Sequence, residues 1–119
     1  MRSNPGAVSV GRMQRRTAYS TYMASGAWRR RRRAWWSAEV ARTGTPVRCA
    51  GCGRPWRLDA DDLHHLDYSR LGGEAHEDLT ALCRPCHEVV HRLLDASAAY
   101  RAIGLRAASL HILGLIAQR

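Results

Sequence analysis

The sequence predicts a small α+β domain, closed by a metal staple and flanked by helices. Three observations carry that expectation. Two Cys-x-x-Cys pairs, Cys49/Cys52 and Cys83/Cys86, are separated by 30 residues. Two short runs of strand character, around Leu63 to Leu66 and Leu79 to Leu82, lie between the pairs. Before and after this segment, apolar residues recur at helical spacing.

A chain of 119 residues makes one domain with room for arms. It buries a modest core, and such chains often need a staple. Its basic residues are 19 arginines with no lysine, its formal net charge is +9 and its pI is about 10.7. The charge is uneven. Residues 1–48 hold eleven arginines against one acid, Glu39, a formal +10, whereas residues 49–119 hold eight against nine acids, a formal −1. A basic N-terminal part with interleaved Tyr and Trp points to a polyanion, and a nucleic acid is the expected partner. Met1 to Arg16 holds no apolar run of the signal-peptide kind. Ala102 to Ala117 is apolar but short, and it contains Arg106 and His111, so no membrane span is expected. These features lead to the expectation of a cytoplasmic protein. Thiols there stay reduced, which favours metal binding over disulfides.

In chain order, residues 1–18 read as a flexible basic arm rich in Ser, Asn, Pro and Gly. Residues 19–46 form a basic, Trp-rich helical lead-in. Its helix is predicted from about Ser25 to Arg42, stopped by Thr43-Gly44-Thr45-Pro46. Trp28, Trp35 and Trp36 are expected to anchor this helix rather than stack on bases. Residues 47–100 hold the metal-ligand pattern. Cys49-Ala50-Gly51-Cys52-Gly53 reads as a metal knuckle, Ser69 to Asp78 as a loop, and Arg84-Pro85 as a helix start. That helix is predicted to run through Val89, Val90, Leu93 and Leu94 to Tyr100. Residues 101–119 read as a C-terminal helix, with Leu105, Ala108, Ile112, Leu113 and Ile116 on one stripe. Core packing is the first reading of the stripe; self-association into a homo-oligomer is the second.

Four thiolates in two Cys-x-x-Cys pairs match the closed tetrahedral set of structural zinc. Such a site contributes on the order of 10 kcal/mol to folding. Four of the six histidines form two pairs, His64-His65 between the cysteine pairs and His87 with His91 just after the second. His87 and His91, at i and i+4 on the predicted helix, share a face and can ligate one ion. His64 and His65 are adjacent on a strand, so they point to opposite sides. One of them can join the helix pair, and the other is then free to act as a base. His76 and His111 lie apart from this group and read as structural. Asp59, Asp61 and Asp62 read as a polar turn, and Glu88 as solvated or paired with Arg84 or Arg92.

Taken together, Cys49-x-x-Cys52, Leu63-His64-His65-Leu66-Asp67-Tyr68, Gly72-Gly73, Glu77-Asp78-Leu79 and Leu82-Cys83-Arg84-Pro85-Cys86-His87-Glu88-Val89-Val90-His91 resemble the HNH endonuclease family. More narrowly, they resemble its zinc-stapled bacterial and phage branch. The likeness is close over residues 47–94, and Tyr22, Ser25 and Trp28 are similar to that branch's lead-in. The resemblance implies a ββα-metal nuclease domain. It implies His65 as general base, His64, His87 and His91 as ligands of a catalytic divalent metal, and Asp78 at the position where the family often has Asn, bracing the loop and orienting the base. Asp78 departs from that pattern by carrying a charge. Three imidazole ligands suit Zn²⁺, Ni²⁺ or Mn²⁺ better than Mg²⁺, which prefers oxygen.

The function so implied is metal-dependent hydrolysis of DNA, leaving 5′-phosphate and 3′-hydroxyl ends. An imidazole titrates near neutrality and can take the proton of the attacking water. Arg29 to Arg33 circle a helix, so only some can reach phosphates; Arg29, Arg30, Arg32 and Arg33 are the expected contacts, with low sequence specificity. A non-catalytic zinc-dependent nucleic-acid-binding module is the competing expectation. Packaging, homing and defence all fit the chemistry, and a phage packaging partner is compatible with it.

Overall fold

A computed structural model of the chain describes residues 16–119. The expected arm over 1–18 therefore lies mostly outside the described residues; residues 16–18 belong to a helical segment that continues to 23. The chain then turns and enters α1, Gly26–Thr43. Ser25 makes the restart. Its hydroxyl donates to the Tyr22 carbonyl at 2.6 Å and accepts from the Trp28 amide at 3.2 Å, satisfying a donor that the first helical turn leaves open. At the other end the Gly44 amide donates to the Val40 carbonyl at 2.8 Å. Both ends fall within about a residue of the predicted ones. Trp28 and Trp35 are buried anchors, while Trp36 stays at the surface, 38% exposed.

After α1, residues 47–56 fold back on themselves. The Trp56 amide donates to the Val47 carbonyl and the Cys49 amide to the Arg54 carbonyl, closing a turn that contains Cys49 and Cys52. β1, Asp62–His65, and β2, Leu79–Leu82, pair antiparallel, with Asp62 opposite Leu82 and His65 opposite Leu79. The loop between them includes a 3₁₀ turn, His76–Asp78. β2 runs through Cys83 straight into α2, Arg84–Ala96, with Pro85 in its first turn, where no amide donor is needed.

The two-stranded sheet separates two cores, because side chains alternate along a strand. Leu63, Leu79 and Ala81 pack with Trp28, Trp35, Val47 and Trp56. Leu82 packs with Val90, Leu94, Ala108, Ile112, Leu113 and three of the cysteines. The architecture is thus α+β, as predicted at that level.

The helix predicted to continue to Tyr100 stops at Ala96, and the predicted single C-terminal helix is divided. Ser97 leaves the helical region, with φ −114° and ψ 110°, and its hydroxyl accepts from the Tyr100 amide at 3.1 Å, capping α3, Ala98–Ile103. Serine competes for backbone donors in this way, which helical periodicity does not register. Gly104 follows at φ 93°, a conformation open to glycine at little cost. α4, Leu105–Ala117, then doubles back onto α2. Ala108, Ile112 and Leu113 are buried there, and Leu105 and Ile116 pack beside them, so the apolar stripe is core. Among the described residues, no helix is long and apolar enough to cross a membrane.

Cys49, Cys52, Cys83 and Cys86 come together with their sulfurs within 4.8 Å of one another. Cys52 Sγ and Cys83 Sγ are 3.7 Å apart. Zinc–sulfur bonds near 2.3 Å in a tetrahedron would give edges of about 3.8 Å. The cluster can therefore hold a structural metal such as zinc. Gly51 suits the close packing: a Cβ there would sit tightly, 3.2 Å from Cys86 Sγ and 3.3 Å from Leu113 Cδ2. The Ala50 amide donates to the Ala81 carbonyl at 2.8 Å, joining the knuckle to β2. A structural zinc contributes on the order of 10 kcal/mol, comparable to the whole stability of a small domain, about 5–15 kcal/mol. Cys83→Ser, or exhaustive chelation of the parent, is expected to abolish the cooperative thermal transition seen by circular dichroism, with zinc content falling from one ion of this type per chain to none.

Candidate functional site

β1 turns His64 and His65 to opposite sides of the sheet, and the two imidazoles enter different environments. His64 faces α2. Its ring centre lies 5.1 Å from that of His87 and 5.4 Å from that of His91, and one donor nitrogen from each of the three lies within 4.8 Å of the others. His87 and His91, one turn apart on α2, bring their Nε2 atoms to 2.9 Å. Two donors side by side on one ion with bonds near 2.1 Å would be about 3.0–3.4 Å apart. An N–H···N hydrogen bond is the other source of so short a distance.

His64 favours the ion. It is 1% exposed; its Nε2 meets Ser109 Oγ at 3.0 Å, while its Nδ1 is buried with no partner. Among the described residues no other buried side-chain nitrogen or oxygen is orphaned. An unsatisfied buried polar atom costs about 1–3 kcal/mol, and a cation on that lone pair would relieve it. Burial, followed by the neighbouring His87 and His91, pushes the His64 pKa down to about 3, and burial also lowers that of His91. Both shifts favour the neutral imidazole, the form that ligates. The donor set fits a divalent ion of borderline softness.

The trio has supporting partners. His87 Nδ1 donates to Asp62 Oδ2 at 3.0 Å, which leaves Nε2 as the free lone pair. Ser109, from α4, meets the far nitrogen of His64. Asp62 was expected in a polar turn; instead it opens β1 and orients a candidate ligand 25 residues away. Asp61 keeps the turn role. Its buried carboxylate accepts from the Arg57 amide at 2.8 Å and pairs with Arg54 and Arg57.

On the other face, His65 is 2% exposed. Its ring stacks against Trp28, with centres 5.0 Å apart, and against Tyr68, 4.9 Å apart, and meets the edge of Tyr19. Its Nε2 donates to Glu74 Oε2 at 2.7 Å. The expectation that Asp78 orients His65 is corrected here. The Asp78 carboxylate receives Arg70 Nε and Nη2 at 2.8 and 2.6 Å, the Ala75 amide at 2.9 Å and Arg106 Nη2 at 3.3 Å. Arg70, ahead of any other neighbour, drops the Asp78 pKa to about 2. Asp78 braces the loop, and its carbonyl accepts from the Leu66 amide next to His65, but the carboxylate that touches the imidazole belongs to Glu74.

Glu74 was missed because it sits in a loop whose closure is tertiary. The cue in the sequence was an acid directly after Gly72-Gly73. Its Oε1 accepts from the Tyr22 hydroxyl at 2.9 Å, and its carbonyl accepts from Arg31 Nε and Nη2 at 3.2 and 3.0 Å. Burial alone would raise the Glu74 pKa, yet the donors from His65, its own backbone amide and Tyr22 together outweigh it and bring it below the usual value. Burial, followed by Glu74, pushes Tyr22 up to about 12.

Arg32, expected on phosphates, serves the fold instead. It donates to the carbonyls of Leu58 and Asp61 and lies over the Trp56 ring, 5.7 Å from its centre. Arg29, Arg30 and Arg33 remain exposed. His76 stacks on Trp35 and binds Glu39 at 2.8 Å, and His111 binds the Tyr100 hydroxyl at 2.9 Å, so both are structural. No family model, curated protein or solved structure matches the chain.

With the cysteine site already filled, His64→Ala, His87→Ala and His91→Ala are each expected to abolish or greatly weaken binding of a second equivalent of Co²⁺ or Ni²⁺, followed by calorimetry or d–d absorption. Asp62→Asn is expected to weaken it about 10–100-fold. His65→Ala leaves it unchanged.

Proposed function

We propose that this chain is a metal-dependent DNA endonuclease of the HNH type, built on a ββα-metal unit. The reading rests on one observation: His64, His87 and His91 converge while the next residue, His65, turns away from them to a carboxylate partner. The order β1, β2, α2 and the position of the four cysteines support it.

The chemistry required is attack of water on phosphorus. The new bond joins the water oxygen to phosphorus, and the bond to the 3′ oxygen breaks. A divalent cation held by His64, His87 and His91 would supply charge stabilisation to the phosphate and the departing oxygen. His65 takes the proton of the attacking water. The 3′ oxygen picks up a proton from solvent, leaving 5′-phosphate and 3′-hydroxyl ends. Arg29, Arg30 and Arg33, on the solvent side of α1, bind backbone phosphate and read little sequence. Arg31 and Arg32 hold that helix to the domain.

A zinc-dependent binding module without catalysis is the second reading. The stacking of His65 against Trp28 and Tyr68 at 2% exposure favours it. Supercoiled plasmid incubated with Mg²⁺, Mn²⁺, Ni²⁺ or Zn²⁺ separates the two. The nuclease reading expects nicked and linear product from the parent, and a loss of about 10²–10⁴-fold in rate for His65→Ala with DNA affinity retained. Binding without cleavage under every metal would favour the module.

The arginines separate by a different measurement. Replacing Arg29, Arg30 and Arg33 together with Ala is expected to reduce the slope of log K against log salt by up to about 3. Arg32→Ala is expected to lower the melting temperature and leave that slope close to the parent's.

A further inference from the structure

We infer that Glu74 is the positioning residue of the proposed base: it holds His65 with its proton on Nε2, so that Nδ1 carries the lone pair that accepts a proton from water. The inference rests on the nuclease reading and adds to it a residue and an atom.

The geometry leaves little choice of tautomer. The Glu74 side chain is 0% exposed, and each carboxylate oxygen has a separate donor, Tyr22 on Oε1 and His65 on Oε2. A carboxylate in that state accepts only, so His65 Nε2 must carry the hydrogen of the 2.7 Å contact. In a neutral imidazole the other nitrogen is then the acceptor. The ring stacks against Trp28 and Tyr68 and Nε2 is held by Glu74, so Nδ1 is the one ring nitrogen left for chemistry.

Glu74 is itself fixed from the lead-in side. Arg31 holds its carbonyl and Tyr22 its carboxylate, across 43 and 52 residues of sequence. The lead-in helix thus serves the site through Glu74 as well as presenting arginines to solvent. A buried ion pair is weak evidence for stability, because desolvation offsets much of the attraction. An apolar residue in its place would leave the Tyr22 hydroxyl and His65 Nε2 without their acceptor, so the carboxylate is what ties the imidazole to the lead-in side. A hydrogen-bonded carboxylate on the far nitrogen fixes the tautomer and orientation of a histidine base.

The experiment pairs ¹⁵N NMR of the histidine rings with plasmid cleavage, on the full chain with both metal sites loaded. In the parent, His65 is expected to show a protonated Nε2 and a lone-pair Nδ1. Glu74→Gln has one acceptor oxygen for the two donors from Tyr22 and His65, so it is expected to weaken the tautomer preference and the rate, but less than Glu74→Leu does. Glu74→Leu is expected to lose the tautomer preference and drop kcat about 10²-fold or more, with KM within about twofold. A parent His65 protonated at Nδ1 overturns the inference without any variant, and so remains decisive if Glu74→Leu does not fold. A folded Glu74→Leu that cleaves like the parent, while His65→Ala is inactive, overturns the role of Glu74 and leaves the base in place. If His65→Ala cleaves as well as the parent, the base assignment and this inference fall together.

Discussion

The structure depends on bringing Cys49 and Cys52 to Cys83 and Cys86. Cys83 directly follows β2 and is the N-cap residue of α2, so whatever fixes its sulfur fixes a strand and a helix at their junction. The knuckle that supplies the other pair is joined to β2 by the Ala50 amide and leaves space for Cys86 at Gly51. His87 directly follows Cys86, so the candidate ligands on α2 inherit their position from the thiolate cluster. Two small cores on either side of a two-stranded sheet would not hold these elements to that accuracy without it.

The second constraint is the period of a strand. Because neighbouring side chains leave a strand in opposite directions, His64 and His65 cannot share an environment. One meets α2 and α4; the other meets the lead-in helix and the loop before β2. Each gains its own supporting groups: His87 leans on Asp62 and His64 on Ser109, while His65 leans on Glu74. Separate support lets adjacent imidazoles differ in task, with one lone pair turned to the trio and another kept apart from it.

The arginine run shows how composition overstates a binding face. Five consecutive arginines on a helix face every direction, and the direction is decided by what packs against the helix. With Trp28 and Trp35 turned inward, Arg31 and Arg32 fall on the same side and satisfy carbonyls of the loop and of the turn before β1. They join parts of the chain. What remains for a polyanion is Arg29, Arg30 and Arg33.

The residues of the thiolate cluster and the His87/His91 pair were legible in the sequence, because their spacing is local: Cys-x-x-Cys makes a turn, and histidines four apart share a helical face; strand alternation left His64 and His65 both open as the third ligand, and the family resemblance chose His64. The start of α1 at Ser25 and of α2 at Arg84-Pro85 was legible for the same reason, since caps and proline act over three or four residues. The break at Ser97 was not, because a serine hydroxyl can face solvent or cap a new helix, and packing of α4 on α2 selects the second. Nor were Asp62 on His87, Glu74 on His65, or Arg32 on the Leu58 and Asp61 carbonyls. Those pairs lie 9 to 29 residues apart and exist only when loops close. The sequence by itself determined which side chains can ligate and which face of each element they occupy, since backbone periodicity fixes both. Tertiary structure alone decided which charged groups orient them and which stay free, because a carboxylate or guanidinium takes its partner from whatever folding brings within hydrogen-bond reach.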